Sequence, residues 1–320
     1  MRSITTEAAQ PALPRGVSPA SARAWALERR ITFAVVGIPF VGLLLGTVLA
    51  FQSKVGAINA LLLLSMYSVT LLGIGVGFHR LFSHRAFQTT APLRLLLVIA
   101  GSVAAQGPVL YWAAVHRRHH SYSDRPGDPH SPHLHPPGVW NALVGFWHAH
   151  TGWLFTPEAY DWGIYVPDLL RDRLLLRANR LYFLWVALGL ALPTLAGAYF
   201  NHGWPGAAQG FLWGGLVRVA LTHHTTWSVN SICHIYGSRP FLSKDYSTNN
   251  FLMALVAFGE GWHNNHHAFP SSAMHGLKWW QIDISGSVIR LLELCCLAWD
   301  VKRPTKEVME AALLGGRSRS

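Results

Sequence analysis

The stretch Ala91-Pro-Leu-Arg-Leu-Leu-Leu-Val-Ile-Ala-Gly-Ser-Val-Ala-Ala-Gln-Gly-Pro-Val-Leu-Tyr111 decides how the chain is threaded. It is long and apolar enough for a membrane crossing of about 20 residues. His79 and His84 precede it, and His116, His119 and His120 follow it. A crossing here would put those two groups on opposite membrane faces. A metal–nitrogen bond of about 2 Å cannot bridge that distance. The stretch also carries Arg94, Gly101, Gln106, Gly107 and Pro108. It is therefore expected to lie in, or dip into, the interface.

Working outward, residues 31–51, 55–78, 181–200 and 206–229 read as spans. Short joints, Gln52-Ser53-Lys54 and 201–205, make each pair a membrane hairpin. The joints hold a single Lys, whereas the N-terminal segment holds Arg2, Arg15, Arg23, Arg29 and Arg30. The positive-inside rule then places both termini and the segment between the hairpins in the cytoplasm. The expected fold is an all-α integral membrane protein of four transmembrane helices in two hairpins under a helical cytosolic cap. Residues 1–22 read as a flexible tail, 23–300 as the membrane domain and 301–320 as a C-terminal tail. Arg171, Arg173, Arg177 and Arg180, interleaved with Leu, read as a basic amphipathic helix at the headgroups.

Composition agrees. The 320 residues are 51% hydrophobic and 13% charged, against about 25% charged in a soluble domain. The net charge of +11 suits topogenic placement and anionic lipid. No nucleic-acid-binding signature accompanies it. Cys233, Cys295 and Cys296 include no CxxC or iron–sulfur set and read as reduced fillers.

Of the 18 histidines, nine fall in tight groups: His79 and His84; His116, His119 and His120; His234; and His263, His266 and His267. Residues three and four apart share a helix face, which suits both HxxHH motifs and the pair Asn230 and His234. His79 and His84, five apart, point about 140° apart on an α-helix and are expected where the backbone turns at a helix end. Nitrogen ligands suit Fe, Zn, Cu or Ni. Nine imidazoles without a ligating Cys argue for a dinuclear catalytic site, since a structural zinc closes with four ligands.

The motifs His79-Arg-Leu-Phe-Ser-His84, His116-Arg-Arg-His119-His120, Asn230-Ser-Ile-Cys-His234 and Gly259-Glu-Gly-Trp-His263-Asn-Asn-His266-His267-Ala-Phe-Pro270 resemble the membrane fatty-acid desaturases. The resemblance is greatest to their acyl-CoA, Δ9 branch and runs from about residue 30 to 300. It implies a cytosolic di-iron site: the nine histidines as direct ligands, and Asn230 acting through a water. It also implies O2 as co-substrate and Fe2+ in the reduced form. The reaction implied is conversion of a long-chain acyl group to a cis alkene, with electrons from an external carrier such as a ferredoxin, rubredoxin or cytochrome b5 type protein.

By the same resemblance Gln106, Trp112 and Thr226 frame a kink in a substrate tunnel, and Tyr67 and Leu71 form its far end. Leu71 implies a depth limit near or below C18. The positions that meet the CoA headgroup in animal members read Ala114-Val115 and Thr156-Pro157 here. The acyl carrier is thus open among CoA, carrier protein and glycerolipid, with Arg117, Arg118 and the Arg171–Arg180 stripe available for phosphates. Asp124, Asp128, Glu260 and Asp283 are candidates to orient ligating imidazoles. A di-iron alkyl or lipid hydroxylase would use the same histidines. A membrane metal carrier or sensor ranks last, because its ligands would lie along a path within the spans.

Overall fold

The structure, a computed structural model, describes residues 13–52 and 55–313. Residues 1–12 and 314–320 of the expected tails, and Ser53-Lys54 of the first joint, lie outside the described residues. The chain's regular structure is mostly helical, with long loops between the helices. Helices α1 (Ala22–Phe51), α2 (57–83), α3 (Ala91–Ser102), α4 (Val109–Tyr122) and α5 (Val139–His150) lead to the short α6 (Arg173–Arg180). Then come α7 (Tyr182–Phe200), α8 (203–232), α9 (Phe251–Val256), α10 (His263–Ala268), α11 (Ile284–Leu294) and α12 (Lys306–Ala311).

Among the described residues, three helices are long and apolar enough to cross a membrane: Ala22–Phe51, Ala57–Ser83 and Tyr182–Phe200. Large apolar side chains stand exposed along them, such as Phe33, Val41 and Leu44 on α1 and Leu184 and Leu195 on α7. A belt of this kind marks a lipid-facing surface. The expected fourth span, 206–229, is helical throughout but carries Arg218, His223 and His224, and it is not one of the three. Arg218 is fully buried and donates to the carbonyls of Gly214, Val103 and Gly189. It thus pins the end of α3 and the middle of α7 to α8. His223 donates to Ala104 O at 2.8 Å. These polar groups are satisfied within the protein, as burial requires.

The stretch 91–111 is two helices. The 12 residues of α3 rise about 18 Å, short of the about 30 Å hydrocarbon core. The chain then breaks through Ala105 and Gly107, both at positive φ (58° and 95°), and α4 starts afresh at Val109. Helix α2 passes over α3 with backbone almost in contact. A Cβ at Gly73 would lie 2.2 Å from the backbone of Ala100 and Gly101. Helices α7 and α8 run antiparallel and equally close, Gly210 against Pro193 and Gly206 against Gly197. Small residues permit such approach between membrane helices. Gly42 and Gly46 of α1 meet Leu216 and Val217 of α8, while Asn59 of α2 bonds Gln209. Helix α8 is therefore a packing partner of α1, α2 and α7 alike.

Two small antiparallel ribbons tie down the ends. Val17–Pro19 (β1) pairs with Glu158–Tyr160 (β3), and Gln88–Thr89 (β2) pairs with Ala298–Trp299 (β4). The N-terminal tail expected to be loose to residue 22 is thus ordered before it. The C-terminal tail likewise forms α12 and a bridge from Leu313 to Phe241. In both cases the backbone finds partners that the local composition does not announce. Cys233 is buried filler as expected, but Cys295 and Cys296 are exposed, because the turn that ends α11 lifts them off the core.

Gly73→Val drives a side chain into the α3 backbone. It is expected to destabilise the protein by about 1–3 kcal/mol, read as a lower thermal midpoint in detergent. An unchanged midpoint would show that the two helices are not in backbone contact.

Candidate metal centre

The first histidine pair owes its geometry to a change of winding. Gly73–Ser83 is wound as a π-helix, and the bond from His84 N–H to His79 O (3.1 Å) spans five residues. That wide turn brings positions five apart back to one side. The two rings lie 4.9 Å apart, where α-helical winding would splay them. His84 caps the helix and Arg85 turns away at φ 52°, so the pair does sit where the backbone turns.

Helix α4 carries His116 and His120 toward one focus and His119 toward another. Helix α10 reverses the division, with His263 and His267 at the second focus and His266 at the first. His234 stands two residues past the end of α8. The donor atoms of His79, His84, His116, His120 and His266 all lie within 4.8 Å of one another. So do those of His119, His234, His263 and His267. The stacked rings of His120 and His267, 4.5 Å apart, join the two groups. Each HxxHH helix thus serves both foci, and the nine fall five and four.

In every recorded contact between these rings the atom turned inward is Nε2. His79 and His266 approach to 3.1 Å, His84 and His116 to 2.7 Å, and His120 and His266 to 2.9 Å. At the second focus His234 and His263 meet at 3.0 Å, His263 and His267 at 3.1 Å, and His119 and His267 at 3.4 Å. Four of the outer nitrogens bind carboxylates. His79 Nδ1 is 2.5 Å from Glu260, His119 Nδ1 2.9 Å from Asp128, His234 Nδ1 2.8 Å from Asp124 and His267 Nδ1 2.6 Å from Asp245.

Burial raises the Asp124 carboxyl, but the hydrogen bond and charge of His234, with Ser131 and the Tyr246 N–H, outweigh it and hold it at about 2. Burial likewise opposes ionisation of Asp128, Asp245 and Glu260. Their imidazole partners, and Arg80 at Glu260, nonetheless keep all three below the usual carboxylate range. Burial, and then mutual repulsion, push His116, His120, His263 and His266 well below their ordinary value. These imidazoles are neutral at pH 7.

The residues fit a pair of metal ions. A neutral imidazole that donates through Nδ1 holds a lone pair at Nε2. His267, pushed by burial down to about 4 and donating through Nδ1 to Asp245, turns a bare lone pair at Nε2 toward the Nε2 atoms of His119 and His263. A cation relieves that arrangement. Donors held about 2.1 Å from one ion lie about 3.0 Å apart at right angles and about 3.4 Å apart at tetrahedral angles. The inner nitrogens are already at such separations.

The surroundings brace this set. Arg80, fully buried beside His79, is held by Glu260 at 3.1 Å and Asp283 at 3.0 Å. Asp283 therefore touches no motif imidazole; it anchors Arg80 and caps α11. Asn265 bonds Asn249, Gln281 and the carbonyl of His275, while Asn264 grips Phe241. Sequence reasoning missed Asp245, a loop residue with no motif around it. It also missed the two Asn within HNNHH, whose part shows only once their partners fold against them. His130 is buried with its ring 4.4 Å from that of His119, because the Asp128 that holds His119 also folds this loop inward. His150 bonds Ser231 and His224 at 3.1 and 3.0 Å, away from both foci.

A cavity of about 520 Å³ runs to the centre. His116, Asn230 and His130 line one part of it; Gln106, Trp112 and Thr226 line another. Trp112 Nε1 donates to Gln106, whose amide donates to Thr226 at 3.0 Å. The trio is thus one hydrogen-bonded chain. Tyr67 and Leu71 do not line the cavity. Tyr67 bonds Thr225 and Val256 O, and Leu71 is only 4% exposed. The two arginines proposed for phosphate are engaged: Arg117 by Asp168 at 2.6 and 3.0 Å, Arg118 by Glu158 and the Gly127 carbonyl.

Residues 56–284 match the family model described as "Fatty acid desaturase", and all nine histidines lie within them. The chain belongs to the fatty acid desaturase family. It is similar to a hex-5-enoyl-[acyl-carrier protein] acetylenase of Moorena producens, 46% identical over 87% of each chain. An sn-1 stearoyl-lipid 9-desaturase of Synechocystis is 38% identical over 93% of this chain and 86% of its own. An acyl-CoA C20 Delta5-desaturase of Anemone leveillei is 38% identical over 76% of this chain and 73% of its own. This desaturase family member is an integral membrane oxidoreductase with a fatty acyl substrate.

His119→Ala is expected to abolish activity and lower bound iron while membrane insertion persists; normal iron content would remove His119 from the ligand set. Asp245→Ala, which frees His267 without touching a donor, is expected to weaken metal retention by about 10–100-fold, read by iron content after dialysis against a chelator.

Proposed function

We propose that this protein carries out the O2-dependent desaturation of a long-chain fatty acyl group, as a Δ9-like cis product. The observation that carries the reading is a single cavity lined both by the Gln106, Trp112 and Thr226 chain and by His116 and Asn230. In this reading His79, His84, His116, His120 and His266 hold one iron. His119, His234, His263 and His267 hold the other, and Asn230 completes it through a water. When bound, two irons supply the oxidising power that takes hydrogen atoms from unactivated methylenes, which no side-chain base can deprotonate. Electrons come from a separate carrier of the ferredoxin, rubredoxin or cytochrome b5 type. The membrane is crossed four times, 203–232 included, with both termini and the metal site cytoplasmic.

The chain's own residues do the rest. Apolar walls from Val35, Val36 and Val115 bind methylenes and exclude water. The hydrogen-bonded trio fixes the path of the chain, so that one carbon pair comes to rest beside His116. Because the cavity ends short of Tyr67 and Leu71, substrate depth is set in this reading at the Gln106–Thr226 bond.

A second reading follows from the 46% identical relative named as an acetylenase: removal of two hydrogens from an existing alkene to give an alkyne. Expression in a host of known lipids, with mapping of new unsaturation, separates the two readings. A cis alkene nine carbons from the carboxyl is expected; an alkyne favours the second reading, and an alcohol discards both. Gln106→Ala is expected to lengthen the preferred chain and scatter the position of the new bond. An unchanged product profile would remove the trio from substrate placement.

A further inference from the structure

The cavity's mouth opens sideways, between α1 and the junction of α6 with α7. The lining residues that stand exposed there are chiefly apolar: Leu27 at 62%, Ile31 at 38% and Phe183 at 64%. They stand on helices long and apolar enough to cross a membrane. A mouth built to receive a chain from a water-soluble carrier would have a polar rim. This one is rimmed by apolar side chains on helices of membrane-spanning length.

One exposed charge of the rim differs in kind. Arg180 lines the mouth and ends α6, two residues before the membrane helix α7 begins. Arg173 and Arg177 precede it at spacings of seven and three, so the three share one face of α6. All three are exposed and make no ion pair among the described residues. Other arginines near the site are spent: Arg80, Arg94, Arg117 and Arg118 on carboxylates, and Arg218 on backbone carbonyls. Arg23, next to the lining residue Ala24, adds an exposed cation on the α1 side.

Helix α6 is also firmly held. Asp172 caps its N-terminus and pairs with Arg94, Asn179 accepts from Leu110 N–H at 3.0 Å, and Leu175 and Ala178 are buried. A rigid row of guanidinium groups at the membrane surface, leading into an apolar slot, complements a phosphate joined to an acyl chain.

We propose that the Arg173, Arg177 and Arg180 row is the headgroup site for an anionic phosphoglycerolipid, whose acyl chain enters through the Leu27, Ile31 and Phe183 mouth without leaving the bilayer. This rests on the desaturase reading above and supplies its substrate class. Soluble acyl-CoA and acyl carrier protein are the alternatives it displaces.

The test uses the full iron-loaded protein in phosphatidylcholine vesicles. The probe is phosphatidylglycerol with a diazirine at the end of its sn-1 chain. Photolabelling is expected in the peptides that hold Gln106, Trp112 and Thr226. Arg180→Gln is expected to lower it about fivefold and the triple Gln variant further. Labelling by a diacylglycerol with the same chain should stay unchanged in both variants. Arg290→Gln, at an exposed arginine that does not line the cavity, serves as the control and should label normally. Equal labelling of native and triple-variant protein would overturn the proposal, leaving the row with topogenic work only. So would displacement of the probe by acyl carrier protein through the same arginines. Labelling needs no turnover, so a protein that labels as expected but, once supplied with O2 and a reduced ferredoxin, rubredoxin or cytochrome b5, forms no new unsaturation sinks the desaturase reading and spares this one.

Discussion

Nine imidazole nitrogens turned inward on two points are a repulsive arrangement in the absence of positive charge. The molecule is built around holding that arrangement in place. Four ionised carboxylates, Asp124, Asp128, Asp245 and Glu260, take the outer N–H of one imidazole each. That contact settles the tautomer, and the tautomer puts the lone pairs inside. Deep burial then holds His84, His116, His120, His263, His266 and His267 below their ordinary value, so that these six are neutral at physiological pH. Those six need no proton removed before an ion binds.

The helices follow from that requirement. A regular α-helix spaces ligands three and four apart, and α4 and α10 each use this spacing to serve both foci. The pair five apart needed a wider turn, which the π-wound end of α2 provides. Gly73 sits where that winding begins and where α3 lies against it. Glycine there lets the backbones touch, so the change of winding and the approach of α3 occur at one place. The break between α3 and α4 then returns the chain to the same side, within reach of His79 and His84.

The wall around the centre divides its polar groups by task. Arg80, Arg117, Arg118 and Arg218 are all consumed by carboxylates or carbonyls and serve as struts. Gln106, Trp112 and Thr226, which line the cavity, are neutral and satisfy one another through hydrogen bonds, so they bring polarity to that wall without a charge. The unpaired charge of the region lies outside, on α6, at the level where a headgroup would rest.

The histidine spacings, the apolar runs and the argument against a crossing at 91–111 were legible in the sequence, because each depends on local periodicity or on a distance no bond can exceed. So was the family, since its motifs are contiguous. The division of the nine histidines into five and four was not, because His119 and His120 are neighbours in the chain and part only when α10 packs opposite them. Asp245 carried no signal either: its partner His267 lies 22 residues further on, and nothing local joins them. The ordering of Val17–Pro19, the engagement of Arg117 and Arg118, and the end of the cavity short of Leu71 were likewise decided by tertiary structure. A side chain's partner depends on what the rest of the fold brings within a hydrogen bond's reach, and sequence separation does not encode that.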